Sequence, residues 1–263
     1  MTAAVHGVGL DLSGQVVLVT GGVRGVGAGI ATVLADAGAI PVVCARRPGD
    51  GAPVHEFAAC DVRDPAAVAA MVAGIVDRHG RLDGVVNNAG GSPFVLAAEA
   101  SDGFSSKIVE LNLVAPLVVA RAAQAVMAGQ DGGGAIVNVS SVSGHRPSPG
   151  TAAYGAAKAG LDNLTTSLAV EWAPKVRINS VIAGPVRTES SHLHYGDDDG
   201  VAAVGRTIPM GRLAEPADIG NAVAFLLSPL ASYITGSTLT VHGGGEKPAF
   251  LDAANAGNSP LGS

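Results

Sequence analysis

Residues 15–27 read QVVLVTGGVRGVG, a continuous apolar run that leads directly into a cluster of glycines. The run over residues 15–20 has strand length and predicts a buried strand. Residues 28–37 then follow a helical pattern, and Gly38 closes it. A glycine turn between a strand and a helix lets backbone N–H groups and the helix N-terminus face a pyrophosphate, because no Cβ stands in the way. This stretch therefore predicts a dinucleotide-binding unit.

The glycine spacing in this loop is Gly-x-x-x-Gly-x-Gly, which differs from the better-known Gly-x-Gly-x-x-Gly fingerprint. A tight turn would explain any one of these glycines. The whole constellation, placed between a strand and a helix, favours a phosphate site. The candidate cofactor-binding residues of the loop are Gly21, Arg24, Gly25, Val26 and Gly27.

Strands alternate with helical patterns from one end of the chain to the other, without an internal repeat or a linker. This alternation predicts the α/β class, with a doubly wound parallel sheet and helices on both faces. We expect residues 1–263 to form a single dinucleotide-binding and catalytic domain. Residues 189–209 are the least regular and are expected to form a mobile substrate lid, and residues 248–263 a flexible tail.

Composition excludes several classes of protein. The chain has 263 residues, of which 48% are hydrophobic, and a net charge of -6 without a basic block, so we expect no nucleic acid partner. We find no signal peptide and no apolar run of membrane-spanning length, so a cytoplasmic protein with no membrane partner is expected. Cys44 and Cys60 are predicted to be reduced core residues. His192 and His194 lack further metal ligands nearby in sequence, so no metal site is expected.

The second predicted strand, residues 40–45, is followed by Arg46 and Arg47, roughly twenty residues past the glycines. An acid at this position binds the ribose 2′-hydroxyl of NAD, whereas an arginine accommodates the 2′-phosphate of NADP. Because no acid is present, Arg46, helped by Arg24, favours NADP(H) over NAD(H). The alternative is that these arginines are solvated loop residues.

Two further strand ends carry candidates for the cofactor site. Asp61 and Val62 follow the third strand, where the carboxylate could accept a hydrogen bond from the adenine amino group; alternatively, Asp61 only caps or turns the junction before the next helix. Residues 87–90 follow the fourth strand, and their small and amide side chains suit the floor of a cofactor site and can tie neighbouring strands together. An ordinary turn is the alternative. The candidates here are Asn88, Ala89 and Gly90.

Residues 135–158 read AIVNVSSVSGHRPSPGTAAYGAAK, a strand, a Gly/Pro-rich loop and the start of a helix. Tyr154 and Lys158 are four residues apart and share one helix face. A lysine one turn from a tyrosine favours the phenolate, so we expect Lys158 to lower the pKa of Tyr154. The alternative is a half-buried tyrosine beside a solvated lysine. Asn112, inside the helical pattern of residues 102–127, is either an exposed residue or a buried amide with specific hydrogen bonds.

Taken together, the chain from about Leu12 to Gly245 resembles the classical short-chain dehydrogenase/reductase family. Ser141 rather than Ser140 matches the family's catalytic serine, because it lies 13 residues before Tyr154 and begins a Ser-x-x-Gly turn. The resemblance implies a Rossmann-type domain that binds a nicotinamide dinucleotide. Its motifs occur in the family's order: residues 20–27, Asp61 with Val62, residues 87–90, Asn112, Ser141, and Tyr154 with Lys158.

The resemblance also implies roles for the site residues. Ser141 would donate a hydrogen bond to the substrate oxygen, Tyr154 would transfer a proton, and Lys158 would hold the nicotinamide ribose hydroxyls. Asn112 would bind a water that links the lysine to solvent. After the sixth strand, Thr188 matches the residue that holds the nicotinamide carboxamide. The other cofactor-binding candidates in that segment are Gly184 and Val186.

The chain departs from the family pattern at two places. Ala183 and Gly184 stand where Pro-Gly is common, and His242 stands where the family has Asp before two glycines. Family members are tetramers or dimers, so a homo-oligomer is expected, and the substrate is expected to be a small molecule.

The leading hypothesis for function is hydride transfer between NADP(H) and a secondary alcohol or ketone. The substrate would be an acyl thioester, a steroid-like compound or another alicyclic compound. The alternatives are an NAD-dependent alcohol dehydrogenase of the same family and a non-catalytic dinucleotide-binding regulator.

Overall fold

A seven-stranded parallel sheet forms the centre of the molecule. The computed structural model describes residues 10–49 and 54–253. The strand order is β3-β2-β1-β4-β5-β6-β7, and every paired strand is parallel. The strands are β1 Val16–Thr20, β2 Ile40–Ala45, β3 Glu56–Ala59, β4 Gly84–Asn87, β5 Gly134–Ser141, β6 Val176–Ala183 and β7 Thr238–Val241. The order reverses between β1 and β4, which opens a ligand crevice at the carboxyl ends of these strands.

Helices cover both faces of the sheet. They are α1 Gly25–Asp36, α2 Pro65–His79, α3 Asp102–Val109, α4 Ala115–Met127, α5 Ala152–Trp172, α6 His192–Tyr195, α7 Asp198–Thr207, α8 Pro216–Leu227 and α9 Ala249–Ala253. A π-helical segment, Glu110–Val114, joins α3 to α4. The predicted doubly wound Rossmann-type sheet is confirmed.

Two hydrophobic cores, one on each face, hold the layers together. Successive residues of β1 point to opposite faces: Leu18 packs into the core beneath α2, α4 and α5, whereas Val17 and Val19 pack beneath α1 and α8. Both sets are fully buried. A strand that is buried on both faces reads as a continuous apolar run, which explains the pattern VVLVT in the sequence.

Several element boundaries differ from the sequence predictions. β5 continues to Ser141, and α1 begins at Gly25, so that Gly25 and Gly27 lie in the first helical turn. The expectation that residues 189–209 are irregular is wrong, because this segment contains α6 and α7. In the predicted tail, α9 is helical, and residues 254–263 lie outside the described residues.

One helical stretch, Asp102–Met127, is long and apolar enough by length and composition to cross a membrane, with a mean hydropathy of 1.4. Lys107, Glu110 and Arg121 interrupt this stretch, so it is not a continuous apolar run. Its apolar side chains Ala115, Val119, Ala123 and Met127 are buried in the core against the sheet. Core packing accounts for part of this hydropathy, since 39% of the apolar window is buried.

The turn between β1 and α1 requires glycine for two different reasons. Gly21 and Gly25 have positive φ angles of 65° and 55°, a region that glycine adopts without a Cβ penalty. Gly27 lacks space instead, because a Cβ on it would lie 2.3 Å from the carbonyl oxygen of Gly21 and 2.4 Å from Nδ2 of Asn88. α1 can therefore approach the strand ends closely only without a side chain at this position.

We expect Gly27→Ala to lower the free energy of unfolding by about 1–3 kcal/mol, because the new methyl group overpacks a site closed by backbone. Dinucleotide binding should weaken as well, since the glycine loop must shift. Urea denaturation and cofactor titration measure the two effects. Gly103→Ala, in α3, is the matched control, because a Cβ there meets nothing within 4 Å. Equal stability of the two variants would contradict the packing argument.

Candidate active site

The carboxyl ends of the strands bring the predicted site residues to one edge of the sheet. β1 ends at the glycine loop, β4 at Asn87, β5 at Ser141, and β6 at Ala183. Since β1, β4, β5 and β6 are consecutive neighbours in the sheet, these four segments line one continuous crevice. Arg46 and Asp61 follow β2 and β3 further along the same edge.

Thr20 and Asn88 hold the glycine loop against the end of β4. The hydroxyl oxygen of Thr20 accepts hydrogen bonds from the backbone N–H groups of Asn88 and Ala89, each at 3.0 Å. Nδ2 of Asn88 donates to the carbonyl oxygens of Thr20 (2.9 Å) and Gly21 (3.2 Å). Asn87 similarly reaches Asn138 on β5 at 2.9 Å. The prediction that these asparagines tie neighbouring strands together is confirmed.

The N-terminus of α1 is suited to an anionic ligand. Arg24, its N-cap residue, makes no side-chain cap hydrogen bond and is exposed. The first N–H groups of a helix lack intrahelical partners and carry the positive end of its dipole. A Cβ on Gly25 would lie 3.6 Å from Cγ2 of Thr188 and 3.7 Å from Oε1 of Glu189, so the segment after β6 lies next to this loop. The open backbone between them fits the pyrophosphate of a dinucleotide.

Asp61 forms a two-point ion pair with Arg63 at the end of β3. Nη2 of Arg63 lies 2.6 Å from Oδ2 of Asp61, and Nε lies 3.0 Å from Oδ1. The hydrogen bond from Arg63 is the main reason why the pKa of Asp61 falls to about 2, and the nearby charge of Arg46 contributes. Asp64, not Asp61, caps α2. The side chain of Val62 is buried in the core, which leaves only its backbone to contact a ligand.

Tyr154 and Lys158 share one face of α5, as predicted. Nζ of Lys158 lies 5.6 Å from the ring centroid of Tyr154 and donates a 2.7 Å hydrogen bond to the carbonyl oxygen of Val139 on β5. The lysine side chain is buried, with 3% of its surface exposed. The alternative of a solvated lysine is therefore wrong.

Burial dominates the electrostatics of this pair. It lowers the pKa of Lys158 from 10.5 to about 8, and the charge of Asp162 opposes this shift. Burial also raises the pKa of Tyr154, against a hydrogen bond with Ser141 that lowers it. The expectation that Lys158 lowers the tyrosine pKa is wrong for this arrangement, because loss of hydration is the larger effect and Nζ binds a backbone carbonyl.

Asn112 is fully buried in the π-helical segment. Its Oδ1 accepts a hydrogen bond from the N–H of Gly91 at 2.9 Å, and its Nδ2 donates to the carbonyl oxygens of Gly91 (3.0 Å) and Ile108 (2.9 Å). Of the two interpretations of Asn112, an exposed residue or a buried amide with specific hydrogen bonds, the second is correct. A Cβ on Gly90 would lie 2.5 Å from Oδ1 of Asn112 and 3.6 Å from Nζ of Lys158, so Gly90 lies between the two side chains.

The two departures from the family pattern contact each other. A Cβ on Gly184 would lie 2.8 Å from Cβ of His242, and the N–H of Gly184 donates to the carbonyl oxygen of Val241. Val186 forms an isolated parallel bridge with Ala214, before α8. The backbone after β6 is thus held by the end of β7, by His242 and by Ala214.

The substrate side of the crevice is bounded by polar and aromatic groups. Arg146, in the loop after β5, forms a 2.6 Å ion pair with Glu246 after β7. Tyr195 of α6 is half-buried, and its pKa is raised by burial, with Arg146 lowering and Glu246 raising it. Phe94 covers Gly150, where a Cβ would lie 2.1 Å from its ring. The charge of Arg146 is therefore balanced within the protein.

Sequence reasoning missed a buried carboxylate next to the candidate pair Tyr154 and Lys158. Asp162 lies one helical turn beyond Lys158 and accepts hydrogen bonds from Ser140, His145 and Ser180. An acid four residues after a candidate lysine inside an apolar helix was the available signal. The described part of the chain contains no group of three or more His, Cys, Asp or Glu side chains suited to a metal ion.

Comparison with known proteins shows the family of the chain. Residues 21–246 match the family described as enoyl-(acyl carrier protein) reductase. The chain is 37% identical over 245 residues to the 3-oxoacyl-acyl-carrier-protein reductase FabG of Vibrio harveyi, which covers 89% of this chain and 98% of that protein. It is 35% identical over 246 residues to human dehydrogenase/reductase SDR family member 4, covering 89% and 88%.

Solved structures give the same result. The ligand-free aldohexose dehydrogenase of Thermoplasma acidophilum is similar with a TM-score of 0.84 at 31% identity, covering 89% of this chain and 94% of that one. The chain belongs to the short-chain dehydrogenase/reductase family. It is an oxidoreductase that acts on CH–OH or keto groups of small molecules, with a nicotinamide dinucleotide as cofactor.

The buried lysine should make stability depend on pH. The unfolded chain binds this proton up to about pH 10.5 and the folded chain only up to about pH 8, so between these values stability rises with pH. Relative to Lys158→Met, the wild type should gain roughly 3 kcal/mol in the free energy of unfolding across this window. Urea denaturation from pH 7 to 11 measures the difference.

Lys175→Met, at an exposed lysine, is the matched control for this measurement. A pH-dependent difference at position 158 no larger than that at position 175 would contradict the charge burial described above.

Proposed function

We propose that the protein transfers hydride between NADP(H) and a secondary alcohol or ketone. The observation that carries the proposal is the meeting of Ser141, Tyr154 and Lys158 next to Gly90, in the crevice that begins at the glycine loop. A cofactor-binding protein without turnover would not need a buried ammonium beside a phenol at this place. An NAD-dependent enzyme of the same family is the alternative.

Each proposed catalytic residue has a distinct task. The nicotinamide, when bound, supplies or accepts the hydride. Ser141 donates a hydrogen bond to the substrate oxygen, where negative charge develops during reduction. Tyr154 gives its phenolic proton to that oxygen in reduction and takes it back in oxidation.

Lys158 and Asn112 support the proton transfer in this proposal. An ammonium group has three N–H donors, so one can remain on Val139 while the others hold the nicotinamide ribose hydroxyls. Asn112 belongs to the catalytic set as the residue that binds a water between Lys158 and solvent. Both N–H groups of its amide are already bonded within the protein, so such a water would donate to an oxygen of Asn112.

The proposed cofactor site follows the strand ends in order. The pyrophosphate lies on the glycine loop and the N-terminus of α1, the adenine half near β2 and β3, and the nicotinamide near β5 and β6. The proposed contacts are Gly21, Arg24, Gly25, Val26, Gly27, Arg46, Asp61, the backbone of Val62, Asn88, Ala89, Gly90, Tyr154, Lys158, Gly184, Val186 and Thr188.

Arg46 is the residue on which the choice of NADP(H) depends. It is exposed at the end of β2, where Ala45 and Arg47 flank it and no acid is present to bind a ribose 2′-hydroxyl. Its charge acts on Asp61, so a phosphate there would meet a guanidinium next to the adenine position. Charge-assisted hydrogen bonds of this kind contribute about 1.5–3 kcal/mol.

We expect Arg46→Ala to raise the KM for NADPH about ten- to a hundredfold while leaving the KM for NADH nearly unchanged. Steady-state kinetics on a panel of ketones and alcohols, including acyl thioesters and steroid-like ketones, measures both constants and identifies the substrate class. Arg47→Ala is the neighbouring control. A wild-type preference for NADH would overturn the assignment of Arg46.

We also propose that residues 189–209 form a lid that selects the substrate within one catalytic domain. α6 places Tyr195 near Arg146 and Glu246, and Thr188 lies against the glycine loop, so the segment spans cofactor and substrate sides. The entrance of the crevice is partly apolar, which suits an acyl thioester, a steroid-like substrate or another alicyclic substrate. The similar proteins named above act on different substrate classes by name and do not choose among these.

A homo-oligomer, a tetramer or dimer, is proposed from the surface of α4 and α5. A shallow groove of about 320 Å³ runs between these helices with a mainly apolar lining. Val114 and Val170 are exposed nearby on the same helical layer, with 46% and 83% of their surface accessible. A second copy of the chain would cover this surface. The residues that line the groove are Leu113, Val114, Leu117, Gly160, Asn163, Leu164 and Ser167.

We expect Tyr154→Phe to lower kcat by at least about a thousandfold, because the substrate oxygen loses its proton donor. Cofactor affinity, measured by fluorescence titration, should change less than about threefold, since the ring and its packing remain. Tyr233→Phe is the matched control, because this tyrosine is fully exposed. Unchanged turnover in Tyr154→Phe would favour the non-catalytic regulator.

A further inference from the structure

Three consecutive residues at the end of β5 each engage a residue on one face of α5. Ser141 lies close enough to Tyr154 to lower the pKa of its phenol, and the carbonyl oxygen of Val139 accepts from Nζ of Lys158 at 2.7 Å. Ser140, between them, donates its hydroxyl proton to Oδ2 of Asp162 at 2.8 Å. Positions 154, 158 and 162 are one helical turn apart, so Asp162 continues the catalytic face of the helix by one further turn.

Asp162 is held from two other directions as well. Its Oδ1 accepts a 2.5 Å hydrogen bond from the hydroxyl of Ser180 on β6, and its Oδ2 also lies 2.9 Å from Nε2 of His145. The carboxylate is buried, whereas about half of the His145 side chain is exposed. Two hydroxyl groups and one imidazole nitrogen thus lie within hydrogen-bond distance of this carboxylate.

The buried negative charge lies one turn from the buried positive charge of Lys158. The backbone carbonyl of Val139 and the amide of Asn112, from β5 and the π-helical segment, bring no net charge to the lysine. The ionisable groups around this pair are Tyr154 on the same helix and His145 in the loop after β5. Asp162 is the acidic side chain whose field supports the ammonium.

We propose that Asp162 is a positioning residue for the catalytic lysine. It fixes α5 in register with the end of β5 through Ser140 and Ser180, and its charge keeps the buried Lys158 protonated at neutral pH. His145 covers the carboxylate on its solvent side. This inference rests on the proposed catalytic role of Lys158, but the charge of the lysine can be measured without catalysis.

The chain has four lysines, Lys107, Lys158, Lys175 and Lys247, so NMR of protein labelled at the lysine side chains resolves each one. In the cofactor-free protein, Lys158 should titrate near pH 8. In Asp162→Asn it should titrate at least about one pH unit lower, because the amide keeps the volume and loses the charge. The three other lysines serve as internal references.

Thr165→Val is the matched control. Thr165 is buried on the same helix, accepts a 2.8 Å hydrogen bond from Asn138 and donates to the carbonyl oxygen of Leu161, so its hydroxyl does not bond to Asp162. It should lower the thermal stability and leave the titration of Lys158 unchanged. Should Asp162→Asn not fold, Asp162→Ser, whose hydroxyl can join the same hydrogen bonds, carries the same expectation.

The pH dependence of kcat is the second readout. The alkaline limb, where Lys158 loses its proton, should move to lower pH in Asp162→Asn, whereas a merely structural role would lower kcat equally at every pH. An unchanged lysine titration in the neutral variant overturns this inference. If the lysine titration shifts as expected but the wild-type protein shows no turnover, the positioning role of Asp162 stands and the proposed function is wrong.

Discussion

The hydrogen bond from the buried ammonium of Lys158 to the carbonyl oxygen of Val139 is the constraint on which the geometry of the candidate active site depends. A charge with almost no access to water is stable only where dipoles and opposite charge surround it. The end of β5 supplies the dipole, and Asp162 supplies the charge. Because both partners also fix α5 against β5, the same contacts that stabilise the cation set the distance between Ser141 and Tyr154.

The glycine loop imposes a second, steric constraint. Gly27 leaves no room for a side chain between the backbone of Gly21 and the amide of Asn88. Asn88 in turn bonds the carbonyls at the end of β1. The glycine turn is therefore part of the strand packing of β1 and β4, so that changes in one alter the other. In the proposed function, cofactor binding and fold stability share residues here.

The pKa values of Tyr154 and Lys158 differ from those of a solvent-exposed tyrosine and lysine. Burial raises the pKa of Tyr154 and lowers that of Lys158, so both shifts favour the neutral forms. The interaction of Tyr154 with Ser141 and the charge of Asp162 near Lys158 act against these shifts. Catalytic sites commonly combine such opposing effects, because a group with a pKa near the working pH can both give and take a proton.

Local sequence determined the fold class and the family and supplied the residues of the proposed catalytic set. Strand and helix periodicity, the glycine turn and the four-residue spacing of Tyr154 and Lys158 are patterns of residues close together in the chain. The boundaries of β5 and α1, the helices in residues 189–209 and the burial of Asp102–Met127 depended on packing. Four further features also depended on packing: the contact of Gly184 with His242, the ion pair of Asp61 with Arg63, the direction of the pKa shift of Tyr154 and the hydrogen-bond network around Asp162. Tertiary structure decided these, because burial and hydrogen-bond partners come from residues far apart in the chain, which no local pattern records.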